Sequence, residues 1–230
     1  MREAVIVSAA RTPIGKAYRG AYNNTAAPTL ASYSIKEAVS RAGIDPEEVD
    51  DVVMGCAQQQ GSQALNIGRL GGIAAGLPNT VSGMTIDRQC SSGMMAIATA
   101  SKQIITDNMD TVVAGGVESI SLVQTAEIRL DIDPNVTEHA QHAYMPMIET
   151  ADNVAEKYNV SREDQDEYSL QSQQRTASAQ ESGIYTDEVI STSTIKLVKD
   201  KESGEISEEE VVLEKDEGNR PETNLEGLTS

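Results

Sequence analysis

Asp87-Arg88-Gln89-Cys90-Ser91-Ser92-Gly93-Met94-Met95-Ala96 joins an apolar run ending in Thr85-Ile86 to a run of small and apolar residues through Ala98, Ala100 and Ile104-Ile105. This pattern predicts a buried strand over 81–86, a tight turn, and a buried helix over 91–105 with Cys90 at its start. The free N–H groups and positive dipole end of a helix stabilise a thiolate, and the thiolate is the attacking form of cysteine. Ser91, Ser92 and Gly93 add little bulk, so a substrate carbon could come close. Gly93 and Ala96 would let the helix pack tightly. The same composition also fits an inert cysteine buried in a small-residue helix.

Outward from that stretch the chain alternates. Residues 4–8 read as a short buried strand, rich in β-branched side chains. Residues 11–24 form a loop around Pro13, Gly15, Gly20 and Asn23-Asn24, in which Arg11 is expected to pair with a carboxylate. Helical periodicity over 30–42 stops at Gly43. A strand over 49–54, a polar loop over 58–62, a helix over 64–75 and a strand over 111–114 complete a layered α/β pattern. A nucleophile at the carboxyl end of a strand suits such a sheet. After Ser121 the character changes. Helices over 153–158 and 162–183, the second opened by a capping-box-like Ser161 and Asp164, precede strands over 190–198 and 209–213 around Asp200-Lys201-Glu202-Ser203-Gly204. Helices first and strands last read as an inserted α+β segment.

Composition narrows the function. The 230 residues carry a formal net charge of −18, with acidic residues crowded between Asp187 and Glu226 as a solvated face. That charge argues against nucleic acid and disfavours anionic membranes. No apolar run is long enough to span a membrane and no signal-peptide pattern opens the chain, so a cytoplasmic location is expected. Cys56 and Cys90 are the only cysteines, too few for a disulfide framework. No zinc spacing, P-loop or dinucleotide fingerprint occurs, so neither a metal nor a tightly held cofactor is expected. The chain has no Trp and no Phe, which leaves aliphatic residues, Met and Tyr to fill its core.

The wording of the central stretch closely resembles the nucleophile segment of thiolases, enzymes that make or cleave 3-ketoacyl-CoA. The resemblance extends over essentially the whole chain in family order. Ala4-Val5-Ile6-Val7-Ser8-Ala9-Ala10-Arg11-Thr12-Pro13-Ile14-Gly15-Lys16 resembles the family's amino terminus. Val53-Met54-Gly55-Cys56, Leu65-Asn66-Ile67-Gly68-Arg69 and Ala114-Gly115-Gly116-Val117-Glu118-Ser119 are similar to the segments around the nucleophile. Thr150-Ala151-Asp152-Asn153-Val154-Ala155 and Ser161-Arg162-Glu163-Asp164-Gln165-Asp166 resemble its loop domain.

The resemblance implies a thiolase-like layered α/β fold. Residues 1–120 would form the first half of the core, residues 121–230 the loop domain that holds coenzyme A, and the carboxy-terminal core half would lie outside these residues. It implies acyl-CoA and CoA as substrates, Cys90 as nucleophile, Arg220 at the nucleotide end of CoA and Met147 along the pantetheine path. Surface exposure is the alternative for Arg220 and core packing for Met147. A complete enzyme would be a homodimer or homotetramer. The family's basic His, in a Gly-His-Pro segment, and its second catalytic Cys, near a glycine run, belong to the carboxy-terminal half. His139 and His142 lack the first context and are expected in loops or facing solvent. Cys56 lacks the second and is expected to be a packed core thiol.

Some residues depart from the family pattern. Asp87 stands where many relatives carry Asn, and a carboxylate there would disfavour a thiolate at Cys90 unless a cation offsets it. Ile148-Glu149 stands where the family often has Gly and a small or apolar residue, and an exposed Glu149 would repel CoA phosphates. Pro146-Met147 and Cys56 after Gly55 resemble the degradative branch. Two other functions compete: a non-catalytic thiolase-fold subunit or half of a split enzyme, and a ketoacyl synthase-like condensing enzyme, against which the loop-domain match argues.

Overall fold

Three parallel strands, β1 (Asp51–Gly55), β2 (Ser82–Ile86) and β3 (Val112–Gly116), form a sheet in the order β2-β1-β3. The computed structural model describes residues 2–127 and 131–229. The central strand β1 is buried along its whole length, as its apolar Val52-Val53-Met54 run requires. Alternation splits that run between two faces. Val52 and Met54 join a core with Ala27, Ala31, Ile35 and Val39 of helix α1 (Ala27–Ala42) and Ile67 of α2 (Ile67–Ala74). Val53 meets Ala96 and Ala100 of α3 (Ser92–Thr106) on the other face. The result is the expected layered α/β arrangement, with helices on both faces of the sheet. Helix α1 opens with Pro28 in its first turn and ends at Gly43, whose φ of +67° suits a residue without a Cβ.

Two expectations for this region need correction. Residues 4–8 form no strand, and Val5, Ile6 and Val7 are 72%, 81% and 72% exposed. Their β-branched pattern specifies an extended chain, but among the described residues no strand offers them a ladder. Helix α3 is also not buried all round. Ser92, Ala96, Ala100 and Gln103 face inward at helical spacing, while Met94 and Ile97 are exposed.

The chain divides into two compact units, Met1–Ala126 with Tyr185–Gly218, and Glu127–Ile184 with Asn219–Ser230. The first contains the antiparallel hairpin β4 (Thr192–Lys199) and β5 (Ile206–Leu213), which the chain order had assigned with residues 121–230. Its placement rests on polar contacts. Asn23 donates from Nδ2 to the Leu197 carbonyl at 2.8 Å and accepts the Leu197 N–H at 2.9 Å, closing the edge of β4 as another strand would. Tyr33 donates to the Ser193 carbonyl at 2.9 Å, and Thr25 shares a hydrogen bond with Thr194. The hairpin turn is held by Asp200, which accepts the N–H groups of Glu202 and Ser203, and its carboxyl is held below the usual range by those bonds. Glu208, Glu209 and Glu210 face solvent, as a solvated acidic face should.

Arg11 fixes its loop as expected. It pairs with Asp216 through both terminal nitrogens at 2.7 and 3.1 Å, and with Glu188 at 2.7 Å. Asp216 also accepts the Ile14 N–H, and the adjacent Glu217 accepts those of Lys16 and Ala21. Two neighbouring carboxylates thus hold residues 11–21.

The short helix α4 (Ile120–Val123) belongs to the first unit, and the second holds α5 (Pro134–His139), α6 (Met147–Tyr158), α7 (Arg162–Glu181) and α8 (Leu225–Thr229). Ser161 and Asp164 form the capping box expected at the start of α7. Helix α6 begins six residues earlier than its periodicity predicts, directly after Pro146. Asp166 is the buried residue of α7; it accepts from Arg162 at 2.9 Å, and Arg162 also donates to the Leu228 carbonyl of α8.

Burial raises the Asp216 pKa, but the hydrogen bonds from Arg11 and Ile14 outweigh it and the net shift is downward. A carboxyl with a depressed folded pKa stabilises the fold fully above its unfolded value of about 3.9. That stabilisation is lost as pH falls through the folded value. Asp216→Asn should therefore lower the urea midpoint at pH 7, and the gap from the parent chain should close as pH falls below the unfolded value and through the folded one. A gap that does not change with pH would remove the Asp216 ion pair as its cause.

Candidate active site

The carboxyl ends of β1 and β3 meet the first turn of α3. A Cβ built on Gly55, the last residue of β1, would lie 2.2 Å from the Ser92 carbonyl carbon and 2.4 Å from the Gly93 nitrogen. Only a residue without a side chain allows that approach. On Gly116, the last residue of β3, a Cβ would lie 3.3 Å from the Gly93 Cα. The head of α3 therefore rests on bare backbone.

Between Ile86 and α3 the chain makes a compact turn. The Asp87 carboxylate accepts the Gln89 N–H at 2.8 Å. Gln89 adopts φ +49°, in the left-handed region that side chains disfavour. Ser91 N–H donates to the Arg88 carbonyl at 3.1 Å and Ser92 N–H to the Gln89 carbonyl at 3.0 Å. Ser91 is the N-cap residue but its side chain makes no cap bond. Instead the buried Ser92 hydroxyl donates to the Gln89 carbonyl at 2.6 Å and accepts the Arg88 N–H at 2.9 Å. Asp87, whose charge was of concern from the sequence, here binds a backbone N–H of the turn.

Cys90 is exposed at the top of this turn, immediately before the N-cap of α3, so it is not the buried thiol that composition also allowed. Two surface grooves, one lined by Thr29, Tyr33 and Thr194 and the other by the hairpin turn, include no residue of this turn. Cys56, by contrast, is buried directly after β1. Gln63 donates from Nε2 to its sulfur at 3.2 Å and to Glu118 Oε2 at 2.9 Å. Burial, and then the charge of Glu118, push the Cys56 thiol up to about 12. It is the packed core thiol expected.

The remaining sequence-derived residues belong to the second unit. Met147 is the first residue of α6 and is 70% exposed, so it does not pack in a core. Arg220 is exposed, its N–H donates to Gln173 Oε1 at 2.7 Å, and among the described residues its guanidinium makes no ion pair. Glu149 is exposed in the first turn of α6. His139 ends α5, and both His139 and His142 face solvent. The first unit contains no histidine. Among the described residues no cluster of His, Cys, Asp or Glu could hold a metal ion, and no helix is long and apolar enough to cross a membrane. Sequence reasoning did not single out Gly55 or the Ser92 side chain as parts of the site. The only sequence signal was the small-residue run itself, which does not say which backbone it approaches.

A mixed α/β unit with a cysteine at a strand-to-helix turn is the architecture of a thiolase amino-terminal half. Residues 4–230 match the model of the thiolase N-terminal domain, and the chain belongs to the thiolase family. It is 40% identical over 230 residues to a 3-ketoacyl-CoA thiolase of Bacillus subtilis, covering 100% of this chain and 59% of that protein. It is 39% identical to the 3-oxoadipyl-CoA/3-oxo-5,6-dehydrosuberyl-CoA thiolase of Escherichia coli, covering 99% of this chain and 59% of that one. A crystal structure of the Bacillus anthracis acetyl-CoA acetyltransferase superposes with a TM-score of 0.80 at 38% identity, over 100% of this chain and 58% of that chain. The chain thus spans about three fifths of the length of these relatives.

Two outcomes follow from the contrast between the thiols. Limiting iodoacetamide at neutral pH should label Cys90 before Cys56, read by peptide mapping; labelling of Cys56 first would remove Cys90 as the reactive thiol. Gly55→Ala should lower stability by about 1–3 kcal/mol, because its Cβ must displace backbone at the head of α3. An unchanged urea midpoint would show that this contact is looser.

Proposed function

We propose that this chain is the nucleophile-bearing part of an acyl-CoA C-acyltransferase that cleaves or forms 3-ketoacyl-CoA. The observation that carries the reading is Cys90, exposed at the head of α3 on a turn fixed by the side chains of Asp87 and Ser92 and seated on two glycines. The Cys90 sulfur attacks the thioester or ketone carbonyl carbon of the acyl donor. The tetrahedral intermediate collapses with loss of the CoA thiolate or the acetyl-CoA carbanion, which takes up a proton. The acyl group on Cys90 then passes to the sulfur of CoA, or in the synthetic direction to the α-carbon of a second acyl-CoA. Residues 121–230 are the region proposed to hold CoA, with Met147 beside the pantetheine arm and Arg220 at the nucleotide phosphates. The exposure of Arg220 and of Met147 supports those roles.

The base for Cys90 and the second proton-transfer group are proposed to come from a carboxy-terminal core half, in the same polypeptide or in a partner chain. Two observations support this: the first unit has no histidine, and the chain spans 59% of its relatives. The exposed Val5-Ile6-Val7 segment and Met94 and Ile97 of α3 are apolar surface suited to being covered by that half. The complete enzyme is proposed to be a cytoplasmic homodimer or homotetramer. A non-catalytic subunit whose partner supplies the missing groups is the second reading, favoured by the same coverage.

The 230-residue chain by itself should not turn over acetoacetyl-CoA at an enzyme-like rate. A positioned base contributes roughly 10²–10⁴-fold, and each oxyanion donor about 10²–10³-fold. These factors do not simply multiply, because members of one catalytic unit act together. Slow single acetylation of Cys90 by acetyl-CoA should appear as one added acetyl group in the intact mass, and Cys90→Ser should abolish it. Acetylation that persists in Cys90→Ser would overturn the nucleophile assignment. Turnover equal to a full-length thiolase would overturn the need for a second half.

A further inference from the structure

We infer that Ser92 is a positioning residue for Cys90: its buried hydroxyl locks the left-handed Gln89 turn that presents the sulfur at the head of α3. The inference rests on Cys90 being the reactive thiol and assigns a role to a side chain that does not face the substrate.

Ser92 is 5% exposed, and its hydroxyl is used twice within the turn. It donates to the carbonyl of Gln89 at 2.6 Å and accepts the N–H of Arg88 at 2.9 Å. Those two backbone groups flank the residue that carries the unfavourable φ of +49°. A non-glycine residue in the left-handed region is held there by its surroundings, because the conformation costs free energy relative to the helical or extended regions. The Asp87 carboxylate fixes the Gln89 N–H from the other side. The turn is thus pinned at both peptide groups of Gln89, and Cys90 is the next residue.

Ser92 is itself immobile for a separate reason. Its backbone carbon lies where a Cβ on Gly55 would be 2.2 Å away, so β1 and the first turn of α3 are in direct contact. The chain of positioning therefore runs from the sheet through Ser92 to Gln89 and then to Cys90. The N-cap residue Ser91 makes no side-chain cap bond, so the hydroxyl one residue further on takes over the task of joining turn to helix. Without the Ser92 hydroxyl, Gln89 can relax to negative φ. Cys90, the next residue, would then no longer be held in one position before the N-cap of α3.

The test is the rate of Cys90 alkylation by iodoacetamide in the whole 230-residue chain, with unreacted Cys56 as the internal reference and circular dichroism as the check on folding. Ser92→Ala should slow Cys90 alkylation about tenfold, the factor expected when roughly one net hydrogen bond's worth of preference for the turn is lost. The second arm is the double variant Ser92→Ala/Gln89→Gly. Glycine adopts positive φ without steric cost, so it should restore most of the lost rate. A role for Ser92 confined to stability predicts no such recovery. Unchanged alkylation in Ser92→Ala overturns the inference, and so does a slowed rate that glycine at position 89 fails to restore. Should Ser92→Ala fail to fold, the double variant is compared directly with Gln89→Gly: near-equal rates support the inference and a large deficit overturns it. Acetyl transfer from acetyl-CoA is measured separately on the parent chain. Failure of acetyl transfer with the alkylation pattern intact removes the acyltransferase reading alone, whereas normal acetyl transfer with no Ser92 effect removes this inference alone.

Discussion

The structure of the site depends on one close approach: the first turn of α3 touching the ends of β1 and β3 at Gly55 and Gly116. A side chain at Gly55 would have to displace the helix from the sheet, and one at Gly116 would press on it. With the helix seated, β2 and α3 are held so close that the chain between them must fold back sharply, and a residue with positive φ is the means. Gln89 fills that position although it is not glycine, so the conformation is imposed by the hydrogen bonds around it. The strain and the exposed cysteine beside it therefore share one cause in the packing of helix against sheet.

The two units are built by different balances of forces. The first has apolar residues on both faces of its sheet, and its loops are anchored by carboxylates such as Asp216 and Glu217 that accept several backbone N–H groups each. The second has few buried residues, and its helices are joined by polar contacts such as those of Arg162 with Asp166 and Leu228 and of Asn219 with Gln173. Many of those contacts are exposed, and exposed ion pairs contribute little to stability. Regions with little apolar burial open more readily than well-packed cores. The first unit is thus the natural scaffold for a group that must be held in one place.

Much of this was legible in the sequence wherever the signal is local. The strand-turn-helix around Cys90, the stop of α1 at Gly43, the capping box of α7 and the pairing of Arg11 with a carboxylate all follow from residue types at short spacing. What escaped was set by partners distant in the chain. Residues 4–8 have the composition of a strand, but a strand needs a neighbour, and β-branched side chains do not specify one. The hairpin β4–β5 reads correctly as a hairpin, yet its attachment rests on Tyr33, Asn23 and Thr25, polar residues that look like ordinary loop and helix positions. Helix α6 starts at Met147 because Pro146 can precede a helix, while the exposed apolar residues of its first turn blur the periodicity. In the site, Cys90 was legible and Ser92 was not, because a hydroxyl facing inward looks the same in sequence as one facing a substrate.

The two cysteines show why position along the turn, and not residue type, decides the chemistry. Both follow adjacent parallel strands at the same edge of one sheet. Cys56 comes directly after β1 and is still part of the ladder, since its N–H donates to the Ile86 carbonyl at 3.0 Å. Its sulfur is therefore committed to the interior, where burial and the nearby Glu118 carboxylate both disfavour a thiolate. Cys90 follows β2 only after Asp87, Arg88 and Gln89 have carried the chain out of the sheet. That displacement exchanges a buried, carboxylate-flanked environment for an exposed one at the start of a helix. The same fold thus makes one thiol inert and leaves the other accessible, and the three residues before Cys90 account for the difference.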